Sequence, residues 1–300
     1  MNFRIAVVIL NYMNYEDTLE CIQSVLSQTY RNYDIIVVEN GSPNNSYQAL
    51  LQHLKRNQKI TLLKSNKNLG YAKGNNLGIR YAKERLNADY VFVCNSDITF
   101  QPDLFETILK TNYKGIGVIS PTVYYPYGTK QPVSLQTSSI YKTILSTVTG
   151  IFAAWLMCLP LINKLVHLFH KDSQIEAAYP FNNEEFTYNI QGCSYFLTPA
   201  YFRYYQQLYP KTFLYWEEIN LAVYLSKTGL KAIIVETSPV IHKDKKSFIR
   251  LVSPHNADIK KLKYSTDSLF HSLPMFFSNY PSIVRRYDTS RLKSNQKGLK

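Results

Sequence analysis

Cysteine is scarce and unpaired: Cys21, Cys94, Cys158 and Cys193 are scattered through 300 residues, with no C-x-x-C. A disulfide scaffold and a zinc ribbon are excluded, and a reducing, cytoplasmic compartment is expected. Charge is also thin, at 18% of residues, below the roughly 25% of ordinary soluble chains. Hydrophobic residues make up 45%, and 25 tyrosines and 15 phenylalanines supply amphipathic surface where charge is missing. Such a chain can bury an ordinary core, which rules out disorder, collagen and coiled coil.

The glycine patterns of common nucleotide sites are missing too. The turn after the first apolar run is Asn11-Tyr-Met-Asn14, without the G-x-G-x-x-G that lets backbone approach a pyrophosphate. No P-loop and no G-x-S-x-G elbow occur, so dinucleotide, P-loop and serine-hydrolase chemistry fall away together. Acidic residues are in short supply, 21 against 34 basic, for a net +13. From His242 to Lys300 the count is 13 basic against 4 acidic, so +9 lies in the last fifth of the chain. A basic tail implies an anionic partner, but no helix-turn-helix or zinc-finger pattern accompanies it, and nucleic acid is not expected. The first apolar run stops at Asn11 and is too short for a secretory signal.

What is present is alternation. Ile5 to Leu10, Ile35 to Val38, Ile60 to Leu63 and Tyr90 to Cys94 read as short buried strands, and Tyr15 to Gln28, Ser46 to Arg56 and Tyr71 to Leu86 as amphipathic helices between them. The pattern resumes near Asn189, with a strand at Tyr195 to Leu197, a helix from Glu217 to Lys227, and strands at Ala232 to Val235 and Val240 to Ile241. Strand and helix in turn predict an α/β fold with a mostly parallel central sheet flanked by helices. Ligands bind such sheets beyond the carboxyl ends of the strands, at Asn11, Glu39-Asn40 and Asn95-Ser96-Asp97.

Each candidate has two readings. Asp97 is suited to a divalent cation that also binds a diphosphate, or it serves a turn. Glu217 and Glu218 open an apolar-periodic helix, where acids suit the helix dipole; one of them could instead take a proton from an attacking hydroxyl. His242 follows a short apolar strand and is either structural or a ligand. Gly70-Tyr-Ala-Lys-Gly-Asn-Asn-Leu-Gly78 brackets Lys73, Asn75 and Asn76 with glycines, as either a phosphate cradle or a helix start that tolerates glycine.

Five motifs together carry a resemblance. Val7-Val-Ile-Leu-Asn-Tyr12, Val37-Val-Glu-Asn-Gly-Ser42, Asn68 to Gly78, Asn95-Ser-Asp97 and Trp216-Glu-Glu-Ile-Asn-Leu221 follow the order found in family 2 glycosyltransferases. The chain most resembles their bacterial rhamnosyltransferase-like branch over roughly residues 3–125 and 189–245. The resemblance implies the GT-A (Rossmann-like) fold. It also implies an inverting transfer of a hexosyl or deoxyhexosyl group from a nucleotide-diphosphate sugar, UDP- or dTDP-linked, to a glycan or lipid-linked acceptor in cell-surface polysaccharide synthesis. By resemblance, Asp97 is the last acid of a D-x-D-like motif whose first position is Asn95, and His242 completes the site of a divalent metal, Mn2+ or Mg2+. Glu218 matches the general base, where Asp is usual, with Glu217 as its rival. Asn11, Tyr12, Asn14, Glu39, Lys73, Asn75 and Asn95 match positions around the nucleotide; Glu39 also replaces the usual Asp. A catalytically inactive sugar-binding or scaffold subunit and a nucleotidyltransferase on a similar sheet are the alternatives. Turnover of nucleotide sugars with Mn2+ separates all three.

The expected organisation is a nucleotide-sugar half at 1–125, a helical insertion at 126–188, an acceptor half at 189–245, and a basic helical extension at 246–300 whose last ten or so residues are disordered. Residues 144–162 form 19 positions without a charge. Ser146, Thr147, Thr149, Gly150 and Pro160 argue against a span, and so does the need to keep both halves of one site on the same side. The stripe flanked by Lys142 and Lys164 fits a peripheral contact with the inner face of the membrane. A helix packed in the core or in a homodimer interface stays open beside it.

Overall fold

The computed structural model describes residues 2–55, 57–110, 114–132, 134–137, 145, 148, 149, 152, 187–243 and 254–288. The apolar runs become strands because each can be buried on both faces of a sheet. β1 (Ile5–Asn11), β2 (Tyr33–Glu39), β3 (Ile60–Lys64) and β4 (Tyr90–Asn95) pair in parallel in the order β3-β2-β1-β4. Between them run α1 (Tyr15–Leu26), α2 (Ser46–Leu54) and α3 (Tyr71–Glu84). β5 (Ile98–Phe100), α4 (Leu104–Leu109) and β6 (Ile116–Tyr124) follow, then β7 (Ser134–Thr137), β8 (Thr187–Ile190) and β9 (Ser194–Leu197). After α5 (Pro199–Phe202) and α6 (Glu217–Ser226), β10 (Lys231–His242) completes an eight-stranded sheet in the order β3-β2-β1-β4-β9-β6-β10-β5. β9 runs antiparallel to both β4 and β6, and β5 runs antiparallel to β10.

The two faces of the sheet carry separate cores. On one, α1, α2 and α4 cover Ile5, Val7, Ile9, Ile35, Val37 and Phe92, with Phe105 of α4 buried among them. Phe92 and Phe196 are cross-strand partners on β4 and β9, stacked with ring centroids 4.2 Å apart. On the other face, α3, α6 and the C-terminal helices α7 (Pro254–Phe277) and α8 (Tyr280–Tyr287) close over a tyrosine-rich core. Tyr205 stacks on Tyr224 at 4.0 Å and donates its hydroxyl to the Tyr224 carbonyl. Tyr209 meets Tyr287 edge-on at 5.0 Å. Each ring buries a large apolar area while its hydroxyl seeks a partner, which is how a chain poor in charge supplies polar contacts inside.

The segment expected to be a helical insertion, 126–188, carries a strand toward each end, and its described residues Leu145, Val148, Thr149 and Phe152 are helical. β7 and β8 form a separate two-stranded antiparallel sheet, with Leu135 opposite Asn189. The short polar and apolar alternation of Ser134-Leu-Gln-Thr137 has strand period, and the partner strand satisfies its backbone. Within the apolar stretch 144–162 only Leu145, Val148, Thr149 and Phe152 are described, and Leu145, Val148 and Phe152 are exposed. The expectation for its remaining residues, and that of disorder over 290–300, lie outside the described residues. Among the described residues no helix is long and apolar enough to cross a membrane.

Candidate active site

The parallel register sets the first group of residues side by side. Asn11 lies opposite Glu39, and Asn95 opposite Leu10, so three strand ends share one edge of the sheet. Turn residues lace this edge together: Met13 N–H donates to Ser42 Oγ at 2.8 Å, and Ser42 N–H to Glu39 Oε1 at 2.7 Å. Asn11 accepts the Thr18 hydroxyl at 2.9 Å, while its fully buried Nδ2 has no partner. Tyr12 and Asn14 are half-buried in the turn that follows, where Asn14 Nδ2 donates to Asp17 at 2.6 Å.

The glycine-bracketed segment starts α3. Gly70 has φ +80°, and a Cβ there would lie 2.2 Å from the Phe213 carbonyl oxygen, so this close approach requires glycine. Lys73 is exposed. Asn75 instead falls on the buried stripe of Ala72, Ile79 and Ala82, fully covered, with Nδ2 donating to the Tyr71 carbonyl at 3.1 Å. Its Oδ1 is buried without a partner.

Antiparallel pairing of β10 with β5 places His242 opposite Ile98. His242 Nε2 consequently sits 3.3 Å from Asp97 Oδ1, in a nearly closed setting. The Gln131 amide holds the other ring nitrogen, Nδ1, from 3.1 Å. Burial pulls the imidazole down, but Asp97 and the Cys193 thiol outweigh it and push His242 up to about 10. Lys243 anchors the strand end, donating backbone N–H to the Asp97 carbonyl at 3.0 Å and side-chain N–H to Asp17 at 2.7 Å.

The acid pair opens α6 after two non-glycine residues in left-handed backbone, Tyr215 (φ 67°) and Trp216 (φ 71°). That conformation costs about 1–3 kcal/mol per residue unless its surroundings impose it. Here they do: Gly70 packs on Phe213, Ser268 Oγ donates to the Leu214 carbonyl at 2.8 Å, and Trp216 Nε1 donates to Ser265 at 3.2 Å. The two acids then part ways. Glu218 lies over Gly192, its Oε1 only 1.8 Å from where a Cβ on that residue would be. Glu217 lines an interior cavity with Asn220 and Thr212. Burial, then the charge of Glu218, raises Glu217 to about 8; burial also raises Glu218.

One turn joins the two clusters, and the motif reading passed over it. The Gly192 carbonyl accepts the Tyr71 hydroxyl at 2.8 Å, and the Cys193 carbonyl accepts the Asn95 N–H at 2.9 Å. Gly192 thus lies under Glu218 while Cys193 touches both Asn95 and His242. The only hint in the chain is a Gly-Cys pair just before the apolar run Tyr195-Phe-Leu197.

With that geometry in view, residues 6–154 match the family model described as Glycosyl transferase family 2. The chain belongs to glycosyl transferase family 2. Its mixed sheet flanked by helices is the GT-A fold of that family. Similar glycosyltransferases include GlyG of Streptococcus pneumoniae serotype 4, 30% identical over 36% of this chain and 35% of GlyG. Another is the low-salt glycan biosynthesis hexosyltransferase Agl10 of Haloferax volcanii, 30% identical over 40% of this chain and 36% of that one. A third is the N-acetylglucosaminyl-diphospho-decaprenol L-rhamnosyltransferase of Mycobacterium tuberculosis, 23% identical over 81% of this chain and 77% of that one. The aligned part is thus only about a third of the length of GlyG and Agl10.

The raised Glu217 makes stability depend on pH. Unfolded, this carboxyl ionises near 4.5; folded, it holds its proton to about 8. Folding therefore takes up a proton between those values, and stability falls as pH rises through them. Glu217→Gln should match the wild type near pH 4.5 and exceed it in melting temperature at pH 9. A difference that stays constant with pH would contradict the assignment.

Proposed function

We propose that this chain is an inverting, divalent-metal-dependent glycosyltransferase that takes a sugar from a UDP- or dTDP-sugar and places it on a hydroxyl of a glycan or lipid-linked acceptor. The observation that carries the reading is the turn at Gly192 and Cys193. It holds a candidate base, Glu218, on one side and a carboxylate–imidazole pair, Asp97 and His242, on the other. One reaction centre between them meets both. The names of Agl10 and the mycobacterial rhamnosyltransferase, with their glycan and lipid-diphosphate chemistry, support the acceptor class.

The donor would lie along the edge formed by Asn11, Glu39 and Asn95, where the unpartnered Nδ2 of Asn11 offers a donor and Glu39 an acceptor. Asp97 and His242 fit a divalent cation in donor type, a hard oxygen and an imidazole nitrogen. Among the described residues no group of three His, Cys, Asp or Glu side chains is placed so as to hold a metal ion by itself. Asp97 and His242 would therefore hold Mn2+ or Mg2+ with diphosphate oxygens and water as the other ligands. When bound, the ion supplies charge compensation for the departing diphosphate.

Glu218 takes the proton of the acceptor hydroxyl as that oxygen attacks the anomeric carbon opposite the leaving diphosphate. A single displacement inverts the anomeric centre. The strained run Tyr215-Trp216 and its buttress from α7 hold α6 still, so Glu218 meets the hydroxyl without reorganising.

Glu218→Gln should lower kcat by roughly 10²-fold while leaving donor binding intact. Asp97→Ala should abolish transfer and the Mn2+ dependence of nucleotide binding. Turnover with a panel of nucleotide sugars, and the anomeric coupling of the product by NMR, check both. Undiminished rates in either folded variant, or a product of retained configuration, would overturn the reading.

The place of work is proposed to be the cytoplasmic face of the membrane, by peripheral attachment. Phe270 and Phe277, one helical stripe of α7, are 61% and 69% exposed, and both lie within the last fifth of the chain that carries +9. Each basic residue near an anionic surface adds about 1 kcal/mol. The protein should float with anionic vesicles at low salt and release at high salt; remaining soluble at low salt would refute attachment.

A further inference from the structure

A small cavity lies behind the acid pair. Glu217, Asn220, Thr212, Tyr195, Tyr209 and Ala72 are among its walls, and it has room for roughly one water molecule. Its polar walls are unsatisfied: Asn220, 3% exposed, leaves both Nδ2 and Oδ1 without a partner, and Thr212, 2% exposed, does the same with Oγ1. A buried polar group without a partner bears the cost of its lost hydration in full. Three such atoms around one hole need a guest that both donates and accepts. Water does so; an apolar guest or a bare cation would leave at least one of them unpaired.

We propose that this cavity is a hydration site in which one water bridges Glu217, Asn220 and Thr212 and keeps the Glu217 carboxyl protonated, so that the charge of the acid pair resides on Glu218. The inference rests on the glycosyltransferase reading for its consequence: Glu217 becomes a positioning residue and Glu218 stays ionised for the acceptor hydroxyl. The water accepts the Glu217 O–H and an Asn220 N–H, and donates to Thr212 Oγ1 and to Asn220 Oδ1.

The groups facing Glu217 agree with a neutral acid. They are Glu218 on its own helix, Tyr71 from α3, Tyr195 from β9, and Tyr209 and Tyr215 from the loop before α6. None of these is a cation that would favour a second carboxylate. Burial raises both carboxyls and each repels the charge of the other, while the unpartnered polar groups of the cavity lie against Glu217 and give a neutral acid there its hydrogen bonds. Two adjacent half-buried carboxyls cannot both ionise cheaply, and the cavity decides between them.

Infrared difference spectra of the full chain at neutral pH test this without turnover. The C=O band of a protonated carboxyl should be present in the wild type and in Glu218→Gln, and missing from Glu217→Gln. Asn220→Leu, which removes the water's partner, should move the band to higher frequency. In the transfer assay, Glu217→Gln should leave the acid limb of kcat/KM where it was. A band lost in Glu218→Gln and kept in Glu217→Gln, a band unmoved by Asn220→Leu, or a crystal structure with a dry cavity would each overturn the proposal. If Glu218→Gln turned sugar over at the wild-type rate while the band followed Glu217, the hydration site would stand and the catalytic reading would fall.

Discussion

The structure turns on one close approach: the Glu218 carboxylate occupies space that any side chain at position 192 would claim. An oxygen 1.8 Å from a hypothetical Cβ leaves room for glycine only, unless the acid moves. Because the same turn continues into Cys193, whose carbonyl takes the Asn95 N–H and whose thiol lies beside His242, the acid and the Asp97–His242 pair are set by a single stretch of backbone. The acid on α6 and the Asp97–His242 pair are therefore placed by one two-residue turn.

That turn is held where it is by the antiparallel strand it precedes. β9 enters the sheet between β4 and β6, and the stacked pair Phe92 and Phe196 locks its register. On the far side, Gly70, Tyr71 and the helices after residue 254 press on the loop before α6. The left-handed backbone at Tyr215 and Trp216 is the local cost of that pressure, offset by the tyrosine core packed behind it. Charge is rare in this chain because tyrosine hydroxyls do much of the internal hydrogen bonding; Tyr71, Tyr205 and Tyr209 each donate to a backbone carbonyl.

Periodicity made the fold legible. Buried runs such as Ile5 to Leu10 and Tyr90 to Cys94 carry their own two-sided burial, so strand, helix and edge follow from spacing alone. The strand-end residues Asn11, Glu39 and Asn95 were legible for the same reason. The complete burial of Asn75 was not, because it follows from its phase against Ala72 and Ile79 once α3 lies on the sheet. β7 was missed because four residues of weak alternation carry little pattern without their partner β8. Gly192 and Cys193 were invisible because their importance lies in a contact 26 residues away, between Gly192 and Glu218, and in pairing with β4; no local spacing encodes either. The choice between Glu217 and Glu218 likewise needed the third dimension, since adjacent residues on a helix differ by about 100° in direction.

Gly192→Ala addresses the central constraint directly. The clashing atom is the end of a flexible side chain, so the fold should survive, with the thermal midpoint little changed and nucleotide binding retained. Glu218 must nevertheless swing away. The account predicts that kcat with the best nucleotide-sugar donor falls by roughly the same 10²-fold expected for loss of a general base. A well-folded Gly192→Ala protein that transfers sugar at the wild-type rate would contradict it.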